Sequence, residues 1–141
     1  MLREEFINAK RIVIKLGTNV LRNSEGEVAI SRIYSFIEDM AKLVKQGKEV
    51  ILVTSGAVGL GKKKLNLEST AEDGVKQACA AVGQSRLMSF YENGFGIYDV
   101  PIAQILLTED DFSLRYRYLS LRTTLNKILE FGVVPIINQN D

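Results

Sequence analysis

Apolar residues along this chain fall into two kinds of block. Four short runs are nearly continuous in aliphatic and β-branched residues: Arg11-Ile12-Val13-Ile14-Lys15, Glu49-Val50-Ile51-Leu52-Val53, Val100 to Leu107, and Val133 to Ile137. Such runs read as buried parallel strands. Between them the apolar positions recur at helical spacing. Ile33, Phe36, Ile37, Met40, Leu43 and Val44 form one stripe, which predicts a helix over about residues 31–46, with Ser31 as N-cap and Gly47 just past its end. A second helix is predicted over about residues 74–93, with Val75, Ala78, Cys79, Val82, Leu87, Phe90 and Tyr91 facing inward. Gly83 lies mid-helix, at a cost of about 1 kcal/mol relative to alanine, which points to close packing or a local break. A third helix ends near Phe131 and is closed by Gly132. The order βαβαβαβ with short connections predicts an α/β fold with a parallel sheet and right-handed crossovers.

Each strand run ends in a polar signature: Leu16-Gly17-Thr18-Asn19, Thr54-Ser55-Gly56-Ala57, Thr108-Glu109-Asp110-Asp111 and Asn138-Gln139-Asn140-Asp141. In a parallel sheet the carboxyl ends of the strands share one edge, where ligands bind. The four signatures are therefore expected to converge on one site. A lysine, glycine turns, hydroxyls and a carboxylate suit a phosphorylated ligand together with an anionic or amine-bearing substrate. Lys15 offers a compact cation for phosphate oxygens. Gly17 lets backbone amides approach a phosphate closely. Both also read as a solvated lysine beside a routine turn glycine. Ser55 opens a turn or helix whose amides favour anions, and equally reads as an N-cap. Asn138, Gln139, Asn140 and Asp141 can hold a substrate ammonium or carboxylate, or form an Asx-rich turn.

Composition narrows the classes. The 141 residues suffice for one ordinary domain, and 46% hydrophobic with 25% charged is a globular balance. A net charge of +1 offers no strong field for nucleic acid or an anionic membrane. Histidine is absent, which excludes His-based triads and most zinc sites. The single cysteine, Cys79, cannot form an internal disulfide, reads as a small core residue, and fits a reducing compartment. No apolar run spans a bilayer and Met1 to Glu5 is no signal peptide, so the expected location is the cytoplasm. Tyr116-Arg117-Tyr118 reads as a helix face, and Lys62 to Lys64 as a solvated surface. One pattern competes with the main reading. Gly56 to Lys62 fits G-x-x-x-x-G-K after a strand, but Lys63 follows where a P-loop needs Ser or Thr for Mg²⁺. A P-loop NTPase and a non-catalytic α/β module that senses an amino acid are the rival functions.

Five segments together resemble the amino acid kinase family, in order and spacing: Val13 to Thr18, Val53 to Val58, Ala80-Ala81-Val82-Gly83-Gln84-Ser85, Gln104 to Thr108, and Val134-Pro135-Ile136-Ile137-Asn138 with Asn140-Asp141. Within that family they are similar to the branch that phosphorylates glutamate. The resemblance runs from Lys10 to the end of the chain. It implies a three-layer αβα sandwich with a mainly parallel sheet, whose N-terminal part binds the amino acid and whose C-terminal part binds ATP. It implies phosphorylation of the L-glutamate γ-carboxylate in the first step of proline synthesis, with ATP and Mg²⁺. By motif, Lys15 would be catalytic at the phosphates, and Gly17 and Thr18 would line their path. Ser55, Gly56, Ala57, Asn138, Asn140 and Asp141 would bind glutamate, with Asp141 also organising catalytic lysines. Proline as a feedback inhibitor and assembly into homo-oligomers come with the same resemblance. Gln139 departs from the family pattern, which has Glu there. The chain stops at Asp141, so residues 1–141 are expected to be the amino-acid-binding part of a larger kinase, inactive by themselves, with the ATP-binding part absent from this chain.

Overall fold

The computed structural model describes residues 2–25 and 27–139. Four strands, β1 (Arg11–Leu16), β2 (Glu49–Thr54), β3 (Ile102–Ile105) and β4 (Val134–Asn138), form one parallel sheet in the order β1-β2-β4-β3. The helices are α1 (Leu2–Asn8), α2 (Thr18–Leu21), α3 (Ile30–Lys45), α4 (Ala57–Lys64), α5 (Val75–Gly96), α6 (Asp110–Ser113) and α7 (Arg115–Glu130). The chain steps outward from β1 to β2 to β3, then back to β4. With right-handed crossovers this reversal puts α3 and α5 on one face of the sheet and α7 on the other. Packing agrees: α3 lies against α5, while Arg11 on β1 donates to Asn126 on α7. The result is the expected αβα layering.

Strand pleating explains which residues each layer takes. On β1 and β2, Ile14, Leu16, Val50 and Leu52 face α3 and α5 and join Ile33, Ile37, Leu87, Tyr91 and Phe95 in the main core. Arg11, Val13 and Lys15 point to the opposite face, where Val13 remains 62% exposed. Pro135 sits in an inner strand, which normally excludes proline. Val134 donates to Pro101 on the β3 side, so the next amide, which proline lacks, would face β2; pairing with β2 begins only at Ile136.

Several expected boundaries shift. Ser31 does not cap α3, which starts one residue earlier behind Ala29 with no side-chain cap. Gly47 and Gly132 do close α3 and α7. Each has a positive φ, and the amides of Gly47 and Lys48, and of Gly132 and Val133, return to the last helical carbonyls. β3 is shorter than its apolar run, and Leu106 beyond it is 80% exposed. Ala78, expected inward on α5, is exposed, whereas Cys79 is fully buried as expected. α1 and α2 correspond to no expected element. Lys48 anchors α1 by donating to the carbonyls of Ile7 and Ala9.

Gly83 resolves as close packing without a break. A Cβ there would lie 1.6 Å from the Ala57 carbonyl oxygen, and one at Gly61 would lie 1.7 Å from that of Cys79. The two glycines let α4 and α5 touch backbone to backbone. This contact fixes α4, and therefore the turn that precedes it.

A buried hydrogen bond of 2.6 Å joins the hydroxyls of Tyr91 and Thr54 under that turn. Burial pushes the Tyr91 phenol up to about 12, only partly opposed by the Thr54 bond. Between pH 10 and 12 the folded chain keeps a proton that the unfolded chain has released. Stability should therefore fall as pH rises through this window, by about 1.4 kcal/mol per pH unit. Urea unfolding at pH 9 and pH 11.5 should show this loss in the wild type, and a smaller one in Tyr91→Phe.

Candidate functional site

β1, β2 and β4 are adjacent, so their carboxyl ends meet at one edge. The Ser55 amide donates to the Leu16 carbonyl at 3.2 Å, and the Gln139 amide to the Thr54 carbonyl at 2.8 Å. These bonds extend the sheet past its last residues and hold the three polar signatures together. Gly56, at φ +102, turns the chain sharply into α4 and could not be replaced without strain. Ser55 is thereby brought to Thr18, the first residue of α2, and their hydroxyls lie 3.0 Å apart.

Beside this pair lies a cavity of about 150 Å³, lined by Thr18, Arg22, Ser55, Gly56, Gly59 and Lys76 with Val58 and Gln139 at its margin. Two cations and two hydroxyls face it, and among the described residues that line it none carries a carboxylate. A tighter apolar recess formed by Leu21, Val28, Leu60 and Leu87 opens from the same residues. The site suits an anionic ligand with a short apolar stem.

The expected site residues divide. Thr18, Ser55 and Gly56 come together as anticipated. Ala57 is fully buried beneath the turn, where its carbonyl meets α5, so it shapes the site from below. Gly17 precedes α2, and a Cβ built on it meets nothing within 4 Å, so the space above its backbone is open. Lys15 is exposed on the opposite face of β1 from the core and does not line the cavity; its ammonium has no partner among the described residues. Asn138 is held by a bond from its amide nitrogen to Gln84 on α5. Asn140 and Asp141 lie outside the described residues.

The fourth signature does not join. β1 and β3 occupy opposite edges, about 14 Å apart at roughly 4.8 Å per strand. Thr108 to Asp111 instead form a self-contained turn. The Asp111 carboxylate accepts the Thr108 amide and hydroxyl and pairs with Arg117. These bonds, the Thr108 amide first, hold its pKa below the usual carboxylate range. The expectation of four converging signatures is corrected to three.

The sequence reading missed Arg22 and Lys76 because each is a lone cation in a polar stretch, brought to the cavity by α2 and by the α4–α5 packing. The P-loop pattern dissolves in the structure. Residues 57–64 are helix from the first position after Gly56, and Gly61 is buried against Cys79 rather than wrapped around a phosphate space. Lys63 pairs with Glu27, while Tyr116 and Tyr118 are exposed on α7, as a helix face should be.

The model of the amino acid kinase family matches residues 10–141. The chain belongs to that family. Relatives named glutamate 5-kinase share its sequence: 48% identity with that of Desulfotalea psychrophila over 99% of this chain, 43% with that of Pelobacter propionicus over 100% of this chain, and 47% with that of Geobacter metallireducens over 94% of this chain. The chain spans 36–38% of the length of these amino acid kinases. A solved isopentenyl phosphate kinase shares the fold, with a TM-score of 0.55 over 92% of this chain and 57% of its own at 13% identity. Among the described residues no helix is long and apolar enough to cross a membrane.

Proposed function

We propose that residues 1–141 form the amino-acid-binding part of an enzyme that phosphorylates the γ-carboxylate of L-glutamate with ATP, giving L-glutamyl 5-phosphate for proline synthesis. The observation that carries the reading is the Thr18–Ser55 hydroxyl pair at a cavity lined by two cations, in a chain 43–48% identical to glutamate 5-kinases. The amino acid lies in this cavity with its γ-carboxylate toward the Gly17 end. Ser55 donates to it, and Asn138, Asn140 and Asp141 complete its polar contacts, with Gln84 positioning Asn138. A γ-carboxylate oxygen attacks the terminal phosphorus of ATP, the bond to the leaving ADP oxygen breaks, and no covalent intermediate with the chain forms. Catalysis is positioning and charge neutralisation.

The open backbone over Gly17 and the Lys15 ammonium, without a partner among the described residues, fit a terminal phosphate at the strand end. Lys15 reaches it across the sheet edge and meets charge that grows on the transferring oxygens. Among the described residues no group of three carboxylate or thiol side chains is placed to hold a metal. Mg²⁺ belongs here as the ion that arrives with the nucleotide and shields its phosphate charge. Cytoplasmic location, assembly of like chains and inhibition by proline belong to the same reading. A P-loop NTPase is not supported by the geometry of α4, and nothing favours a purely sensory module. The gene product that carries this chain should release ADP from ATP only when L-glutamate is supplied; glutamate-independent release would reject the proposal.

A further inference from the structure

Two cations near the site have partners within the chain. Lys63 pairs with Glu27, and Arg32 donates to the carbonyls of Val20 and Arg22. The Arg22 guanidinium makes no hydrogen bond or ion pair among the described residues, yet it lines the cavity beside Thr18 and Ser55.

It is nevertheless held in place. The Arg22 backbone bridges to Val28, and its carbonyl takes one of the Arg32 bonds. Leu21 before it accepts the Ala29 amide, and the Asn23 side chain after it accepts the amides of Glu25 and Glu27. The loop is thus tied down on both sides of Arg22. The guanidinium itself rests on bare helix: a Cβ at Gly59 would fall 2.2 Å from Nη2 and 3.2 Å from Cζ. Gly59 is the residue that gives the arginine its seat. A planar fork without a partner, seated at a cavity of hydroxyls, suits a carboxylate.

Resting on the proposed glutamate reading, we infer that Arg22 binds the carboxylate of the amino acid that is not phosphorylated, and so selects dicarboxylic substrates. The reacting carboxylate is directed to the Gly17 end, where phosphate can reach it. The second carboxylate lies at the other end of the cavity against Arg22, with Lys76 adding a cation at the mouth. Arg22 touches neither the attacking oxygen nor the phosphate. Its contribution is to binding and to choice of substrate.

The test uses the gene product with L-glutamate and its α-amide, L-isoglutamine, as acceptors. Losing a charge-assisted hydrogen bond corresponds to about 10- to 100-fold in affinity. Arg22→Gln should raise the glutamate KM by that factor while kcat moves far less, and should abolish the preference for glutamate over isoglutamine. Gly59→Ala should act in the same direction by displacing the guanidinium, although alanine favours the helix and should not lower the unfolding midpoint. An unchanged KM and an unchanged preference in Arg22→Gln would overturn the inference while leaving glutamate phosphorylation intact. If the wild type transfers no phosphate to glutamate, the proposed function fails, and calorimetry still decides for Arg22. Glutamate binding that Arg22→Gln weakens supports the carboxylate seat, and equal binding or none overturns it.

Discussion

Lys15→Ala should lower phosphoryl transfer by roughly 10²–10³-fold, the scale for removing one preorganised charge donor from a developing oxyanion. The prediction rests on position. Lys15 is the penultimate residue of β1, exposed on the face opposite the core, and its ammonium is uncommitted among the described residues. A lysine kept only for solubility would change turnover by less than twofold. The glutamate KM should move far less than turnover, because the cavity is lined by Thr18, Ser55 and Arg22 and not by Lys15. Steady-state kinetics on the gene product give both constants. The variant should keep the wild-type unfolding midpoint, since Lys15 is exposed. Near-normal turnover in a folded variant would remove Lys15 from the mechanism.

Gly83→Ala should destabilise the fold strongly although it adds only one carbon. Helix propensity alone would favour alanine by about 1 kcal/mol. Sterics oppose it far more strongly: the new Cβ would sit 1.6 Å from the Ala57 oxygen, 2.6 Å from the Ala57 carbonyl carbon and 2.7 Å from the Gly61 nitrogen. These are backbone atoms and cannot rotate aside, so α4 and α5 must separate. Overpacking typically costs 1–3 kcal/mol, and a backbone collision belongs at about 3 kcal/mol or above. Glutamate affinity should fall too, because α4 carries the Ser55 turn. Gly96→Ala is the control: nothing lies within 4 Å of its Cβ, so it should leave stability unchanged or raise it. Chemical denaturation of both variants measures the contrast, and a Gly83→Ala protein as stable as Gly96→Ala would refute the helix contact.

The layer architecture was legible because the continuous apolar runs of β2 and β4 call for a sheet covered on both faces, although Val13 shows that one face of β1 stays open. The stripe from Ile33 to Val44 likewise fixed α3. Gly83 announced a close approach through its cost, although only the fold shows that Ala57 is the partner. Strand order was not legible. β3 follows β2 in sequence but lies beyond β4, and no local signal encodes that crossing; the error of joining Thr108 to Asp111 to the site follows directly. Thr18, Ser55 and Gly56 could be read because they sit at strand ends. Arg22 could not, since its place depends on a short helix and on Gly59 37 residues away. Ser31 failed as a cap because the Val28 bridge starts α3 a residue early.

The most direct test of the central claim is the identity of the phosphorylated product. The gene product, incubated with ATP, Mg²⁺, L-glutamate and hydroxylamine, should form the γ-hydroxamate of glutamate in step with ADP. That result places the transferred phosphoryl group on the side-chain carboxylate. ADP release with no hydroxamate, or an α-hydroxamate in its place, would contradict it.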